Sequence, residues 1–303
     1  GDLLLPKVDQ VILIDCAFGE DAKTLGNCLN IIDRLLEMGV KKNTTLVAMG
    51  GGVIQDITSF IASILYRGIN WSFIPTTLLA QADSCIGSKT SINHNDVKNL
   101  VGSFYPPSNI WCDSNLLKSL EESDIDSGIG EMLHYFMLYN SDYLNKIDNE
   151  DLGPCIAESL RIKKEMVEKD EFDQKERRIF NYGHTFGHAI EVLSSYAVKH
   201  GLAVTLGIHM ANYVSYRLGL ISKECLDYLQ SKILFNMPDY SIDDVDYYMS
   251  ILLKDKKNIP GALVCILPYD VADFRVTEIS DIGALKDIVK DWIKASKNQS
   301  DFL

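Results

Sequence analysis

The 303-residue sequence predicts two domains: an α/β N-terminal domain over residues 1–118 and a mostly α-helical C-terminal domain over residues 119–303. Three observations predict it. Short β-branched apolar runs alternate with helical periodicity through the first third of the chain. A glycine triplet, Gly50, Gly51 and Gly52, stands between a strand-like run and a helix-like one. Past the stretch "CDSNLLKSLEESD", long helical periodicities replace the alternation.

Taken in order, "QVILID" reads as a short strand and "TLGNCLNIIDRLLEMG" as an amphipathic helix with glycine at its end. "TTLVAMGGGVIQD" reads as a buried strand that turns on glycines into the helix "IQDITSFIASILY", with Asp56 in its first turn. "INWSFIP" and "NIWCD" are further strands, and residues 75–105 read as a polar loop. Strands separated by helices favour a parallel sheet covered by helices. Helical stretches follow at 127–147, 153–169, 184–196, 201–219 and 222–233, then the strand-like "GALVCILP" and a terminal helix near 283–295.

Composition narrows the function classes. Twenty-nine basic against 42 acidic residues leave a net charge of −13, which repels nucleic acid and anionic membrane. No apolar run is long enough to span a bilayer and no signal-like N-terminus is present, which points to the cytoplasm. The seven cysteines are odd in number, scattered and without a CxxC pair, so reduced core thiols are expected. In so acidic a chain, clustered basic residues stand out as a local exception suited to an anionic small molecule.

Several stretches carry chemistry. Gly50, Gly51 and Gly52 would let backbone approach a phosphate at a helix N-terminus; a tight turn is the plainer alternative. The polar loop holds Thr76, Thr77, Asp83, Lys89, Lys98 and Asn99, and lysines among small residues suit phosphate or carboxylate capture. "NYGHTFGHAIE" sets His184 and His188 four apart, on one helix face. With Glu131 in "GIGEMLHYF" and His200, a centre of imidazole and carboxylate ligands for Zn²⁺ or a similar ion is chemically sound. Spacing alone leaves open whether both His184 and His188 are ligands or one serves elsewhere. Arg177, Arg178 and Lys163 lie nearby in a stretch that also reads as an ordinary charged helix face.

Together, "LVAMGGGVIQD", "FIPTTLLAQADSCIGSKTSIN", "KNLVGSFYPP", "NYGHTFGHAIE" and "KDKKNIPGALVCILP" resemble, in order and spacing, the 3-dehydroquinate synthases of the sugar-phosphate cyclase superfamily. The resemblance runs from "GEDAKTL" to the last strand and implies a Rossmann-like nucleotide-binding domain followed by a helical metal- and substrate-binding domain. It implies NAD and one divalent metal ion, Zn or Co, as cofactors. Gly50, Gly51, Gly52, Asp56, Thr76, Thr77, Asp83 and Lys98 would line the NAD site, with Glu20 and Lys23 near the adenosine ribose. Glu131, His184 and His200 would be the metal ligands, which gives His188 to the substrate. Lys89, Asn99, Lys163, Arg177, Asn181, His188 and Lys256 would contact substrate, and Arg67 would reach the substrate phosphate across a homodimer interface. Members usually carry a further strand–helix–strand segment ahead of the stretch matching "VILID", and this sequence would lack it.

Arg177 and Asn181 match the pair that binds the substrate carboxylate in dehydroquinate synthases, which favours 3-deoxy-D-arabino-heptulosonate 7-phosphate. Two positions depart from the family pattern. His134 stands where "AEVIKY" carries a substrate-contacting lysine, and Leu202 replaces the acid of "HGE", which predicts a weaker metal site. The alternatives are a related cyclase acting on sedoheptulose 7-phosphate or an aminosugar phosphate, an NAD- and metal-dependent alcohol dehydrogenase, and a non-enzymatic binding protein.

Overall fold

The computed structural model describes residues 13–16, 19–95, 97–139, 141–147, 151–254 and 258–297. It divides into two compact units, residues 1–75 with 88–111 and residues 76–87 with 112–303. A division at residue 118 would put 76–87 with the first unit. That segment instead packs with the helices, because Leu78 and Ala82 are buried in their core.

The first unit is built on a parallel sheet. Strand β1 (Thr45–Gly50) pairs with β2 (Asn70–Pro75) from Thr45↔Asn70 to Gly50↔Pro75, and β5 (Asn109–Ile110) pairs with the other edge of β2. Helix α1 (Leu25–Glu37) precedes β1, and α2 (Gly52–Ile64) makes the crossover from β1 to β2. Central β2 buries Trp71, Ser72 and Phe73 in succession, as expected of a strand covered on both faces. The segment read as a polar loop is partly an antiparallel hairpin, β3 (Lys89–His94) with β4 (Val97–Phe104). Thr90 and Ile92 point inward at strand spacing, while Lys89, Ser91 and Asn93 alternate with them on the other face. Of the expected strand "QVILID", residues 10–12 lie outside the described residues, and Leu13–Asp15 form no strand. Helix α2 starts at Gly52, so Asp56 sits in its second turn.

The second unit is helical: α3 (Glu122–Tyr139), α4 (Gly153–Lys169), α5 (His184–Leu193), α6 (His200–Arg217), α7 (Lys223–Ser231), α8 (Val245–Leu252) and α9 (Ile282–Lys297). A hairpin of β6 (Leu263–Asp270) and β7 (Asp273–Ile279) precedes α9. Helix α6 is apolar on nearly all sides and is the central element of this unit's core, buried from Ala203 through Asn212. Glycines let α3 approach it closely. A Cβ on Gly130 would lie 2.0 Å from the Gly201 carbonyl oxygen, and one on Gly201 would lie 1.7 Å from that of Ser127. Glu131 and His200 are the immediate neighbours of those two glycines in sequence.

Candidate active site

Three helices of the second unit converge on Glu131. His184 Nε2 lies 3.5 Å from Glu131 Oε1, and His200 Nε2 lies 3.4 Å from Oε2. His184 opens α5 after Gly183, whose φ of +79° makes the turn that a side chain would resist. His188, one turn further, brings its ring centroid within 5.4 Å of His184 and 5.6 Å of His200. One nitrogen from each of these three imidazoles falls within 4.8 Å of the others. Both pairings raised by the sequence are therefore met in space: Glu131, His184 and His200 form one cluster, and His188 borders it.

The donor set fits a divalent ion. The two carboxylate–imidazole distances exceed the roughly 2.7–3.2 Å of a sound hydrogen bond. A tetrahedral ion with bonds of about 2.0–2.1 Å would hold its ligand atoms about 3.3–3.4 Å apart, close to the 3.5 Å to Oε1 and 3.4 Å to Oε2 in this cluster. Glu131 Oε2 is buried and has no hydrogen-bond partner among the described residues. Burial opposes ionisation of Glu131 most, yet His184, His134 and His200 together outweigh it and hold the carboxyl well below the usual range. Burial likewise disfavours protonated His200, but Glu131 and Glu191 together raise it well above the ordinary histidine value.

Glu191 is the functional residue that sequence reasoning missed. Its Oε2 accepts from His200 Nδ1 at 3.0 Å, so His200 is oriented by a carboxylate with Nε2 turned toward Glu131. Leu202 still leaves its own position without an acid, and the carboxylate that His200 meets comes from α5. His134, one turn beyond Glu131, is fully buried, and neither ring nitrogen has a hydrogen-bond partner among the described residues. Its Nδ1 lies 3.6 Å from Glu131 Oε1, and burial pushes its pKa down to about 4, so it stands neutral.

A second cluster in the same unit gathers cations. Lys163, on α4 and almost fully buried, donates to Asp83 Oδ1 at 2.6 Å and to the Asp83 carbonyl at 2.8 Å. The Tyr135 hydroxyl also donates to Asp83 Oδ1. Arg177, 5% exposed, donates from Nη1 to the Glu171 carbonyl at 2.8 Å. A Cβ on Gly87, where φ is +111°, would stand 2.6 Å from Arg177 Nη2 and 3.5 Å from Lys163 Cε. That glycine keeps room beside both cations. Asn181, at the end of the 3₁₀ turn Glu176–Asn181, donates to the Arg178 carbonyl at 2.8 Å. Thr76 and Thr77 follow β2, and Thr77 Oγ1 caps the helical turn carrying Asp83 by accepting from the Ala80 N–H at 3.2 Å.

In the first unit, Lys23 is the hub. Its buried ammonium lies 2.8 Å from Asp56 Oδ2, 2.7 Å from Asn99 Oδ1 and 3.3 Å from Glu20 Oε1. The Asn93 N–H donates to the Lys23 carbonyl at 2.7 Å, pinning this segment to β3. Burial raises the Asp56 carboxyl despite Lys23, whereas Glu20 stays below its usual range because Asn93 and Lys23 outweigh its burial. Asn99 thus shares a cluster with Glu20, Lys23 and Asp56. Gly50 ends β1 and Gly51 caps α2 without a side-chain acceptor, leaving that helix start to its backbone N–H groups. Lys89 opens β3 on the surface, and Lys98 is half-buried on β4. Arg67 is exposed on a turn where Tyr66, Arg67 and Gly68 all have positive φ, held by Lys42 at the Tyr66 and Gly68 carbonyls. Lys256 lies outside the described residues.

The chain matches the family model for the 3-dehydroquinate synthase N-terminal domain over residues 13–127 and that for the C-terminal domain over residues 128–258. It is 37% identical over 300 residues to the 3-dehydroquinate synthase of Campylobacter fetus subsp. fetus (strain 82-40), covering 96% of this chain and 87% of that protein. Against the 3-dehydroquinate synthase of Dictyoglomus thermophilum (strain ATCC 35947 / DSM 3960 / H-6-12), identity is 39% over 300 residues, with 94% and 82% covered. Among solved structures, a 2-deoxy-scyllo-inosose synthase complexed with carbaglucose-6-phosphate, NAD+ and Co2+ superposes with a TM-score of 0.82. That pair shares 27% identity, over 90% of this chain and 81% of the other.

Proposed function

This chain belongs to the 3-dehydroquinate synthase family, and we propose that it converts 3-deoxy-D-arabino-heptulosonate 7-phosphate into 3-dehydroquinate and phosphate. The observation that carries the reading is the Glu131–His184–His200 cluster, in which each imidazole Nε2 lies 3.4–3.5 Å from an oxygen of the Glu131 carboxylate. When bound, NAD supplies a hydride acceptor that is restored within each turnover, and the divalent ion supplies a Lewis acid for the oxidised alcohol.

The chain's own residues do the rest. Glu131, His184 and His200 hold the ion, and Glu191 fixes His200 for that task. Lys163 and Arg177 receive the substrate's anionic groups; the guanidinium suits a carboxylate through its paired donors. Asn181 and His188 complete the substrate contacts, His188 with a proton to accept or return beside the ion. Lys89, Asn99 and Lys256 keep their substrate assignment as proposals. The glycines at 50–52, Asp56, Thr76, Thr77, Asp83, Lys98, Glu20 and Lys23 keep the dinucleotide assignment. Holding one flexible acid phosphate through elimination and ring closure requires fixing both charged ends, which two buried cations can do.

We place the enzyme in the cytoplasm and assign it a homodimer in which Arg67 serves the partner's substrate. The run of positive φ at its turn, costing about 1–3 kcal/mol per non-glycine residue, supports a functional reason for that geometry. No helix among the described residues is long and apolar enough to cross a membrane.

The test gives the purified protein NAD, Co²⁺ or Zn²⁺ and either the heptulosonate phosphate or sedoheptulose 7-phosphate, and measures phosphate release. Release from the first only is expected. Release from the second only would reassign the chain to another cyclase.

A further inference from the structure

Five polar contacts link His184 to the last helix, all within the helical unit; four are hydrogen bonds of 3.2 Å or less and the Asn212–Gln230 contact is longer. His184 Nδ1 lies 3.2 Å from the Tyr182 carbonyl oxygen. The Tyr182 hydroxyl donates to Asn212 Oδ1, and Asn212 Nδ2 donates to Gln230 Oε1 at 3.4 Å. Gln230 Nε2 donates to the His209 carbonyl at 3.0 Å, and Trp292 Nε1 on α9 donates to His209 Nδ1 at 2.8 Å. Tyr182, Asn212, Gln230, His209 and Trp292 are all buried.

The direction of every link is fixed by chemistry. A backbone carbonyl only accepts, so Gln230 must present its amide nitrogen to His209 and its oxygen to Asn212. Asn212 then turns its own oxygen to the Tyr182 hydroxyl. The Tyr182 carbonyl likewise requires His184 to carry its proton on Nδ1, which leaves the Nε2 lone pair aimed at Glu131. Trp292 donates only, so His209 is neutral, and burial agrees by pushing its pKa down to about 4. Buried polar groups are costly unless a network satisfies them, and this one ends at an ion ligand.

We propose that Tyr182, Asn212 and Gln230 are positioning residues that fix the carbonyl holding His184, and with it the orientation of that imidazole, and that they couple the metal centre to α9 through His209 and Trp292. The proposal rests on the reading of His184 as a metal ligand. It gives buried His209, which the chemistry does not otherwise use, a role as the joint between α6 and α9.

The experiment measures Co²⁺ affinity by chelator competition, and the Co²⁺ d–d absorption spectrum, on full-length wild type and four variants. Tyr182→Phe keeps the ring and the carbonyl but cuts the link to Asn212; affinity falls about tenfold or more and the spectrum shifts. Trp292→Phe, at the far end, weakens binding about threefold. Tyr248→Phe removes a comparable buried hydroxyl, which donates to the Phe186 carbonyl at 3.1 Å outside the chain of bonds. It lowers Tm as Tyr182→Phe does and leaves Co²⁺ affinity and spectrum as in wild type. His184→Ala loses affinity outright. If His184→Ala binds normally, the ligand reading fails and the proposal with it. If His184→Ala loses the ion while Tyr182→Phe matches wild type, or Tyr248→Phe loses as much, the positioning role alone is overturned. Should Tyr182→Phe not fold, wild-type Co²⁺ binding by Trp292→Phe overturns the coupling.

Discussion

Replacing Glu191 by glutamine isolates the electrostatic part of its contact with His200. Glutamine has nearly the same shape and can still accept from Nδ1–H, so geometry survives while the charge is lost. The contact is 3.0 Å long, and both side chains are partly open to water, at 33% for His200 and 15% for Glu191. A hydrogen bond to a charged group contributes about 1.5–3 kcal/mol. Partial exposure selects the lower end, and 1.4 kcal/mol is about tenfold in an equilibrium constant. Glu191→Gln should therefore weaken Co²⁺ or Zn²⁺ binding about tenfold, and Glu191→Ala, which frees the imidazole to rotate, about 100-fold. Chelator competition at fixed pH reads the affinity, and thermal unfolding of the metal-free protein confirms the fold. Wild-type affinity in both variants would refute the reasoning, because His200 would then hold its orientation without the carboxylate.

Arg177→Ala should reduce turnover of the carboxylate substrate by at least about 100-fold while metal affinity stays within about twofold, because its guanidinium belongs to the anion cluster; a drop in bound metal would contradict that role. Gly130→Ala should destabilise the fold by at least about 2–3 kcal/mol and weaken metal binding, since its Cβ would stand 2.0 Å from the Gly201 carbonyl oxygen and force α3 from α6; denaturant unfolding and metal titration check both. His209 is neutral in the folded state, with a pKa of about 4 against an ordinary 6.5. The unfolded chain therefore binds more protons between those values. Its contribution is present above pH 6.5 and is lost as pH falls toward 4, by about 3 kcal/mol in all. His209→Gln should flatten that part of the pH–stability curve, and an unchanged slope would disprove it.

The sequence signalled the site more clearly than the contacts that orient it. Glu131, His184 and His200 lie on three helices; His184 sits in a long motif, whereas Glu131 and His200 stand in shorter stretches, beside His134 and Leu202, that depart from the family pattern. Glu191 was printed in the same motif and passed over, because its partner His200 is nine residues away on the next helix and no local periodicity links them. Nothing in the sequence sets Tyr182, Asn212, Gln230 and Trp292 apart, and only the packing of α6, α7 and α9 joins their polar atoms. The β3–β4 hairpin was hidden by Lys89, Asn93, Lys98 and Asn99, which suggested a loop while Thr90 and Ile92 carried the strand alternation. Strand β7 and the short α8 escaped for a related reason: β7 keeps much of its length at the surface, and α8 spans only eight residues. The segment 76–87 looked continuous with β2, but Leu78 and Ala82 bury against helices far along the chain.

The central claim is a redox-neutral cyclisation, in which hydride leaves the substrate and returns within one turnover. The most direct measurement follows phosphate, 3-dehydroquinate and NADH together while the protein acts on 3-deoxy-D-arabino-heptulosonate 7-phosphate with NAD and Co²⁺. The account predicts one phosphate per 3-dehydroquinate over many turnovers, with no net NADH. Accumulation of NADH in step with substrate loss, without phosphate, would contradict it and make the protein a dehydrogenase.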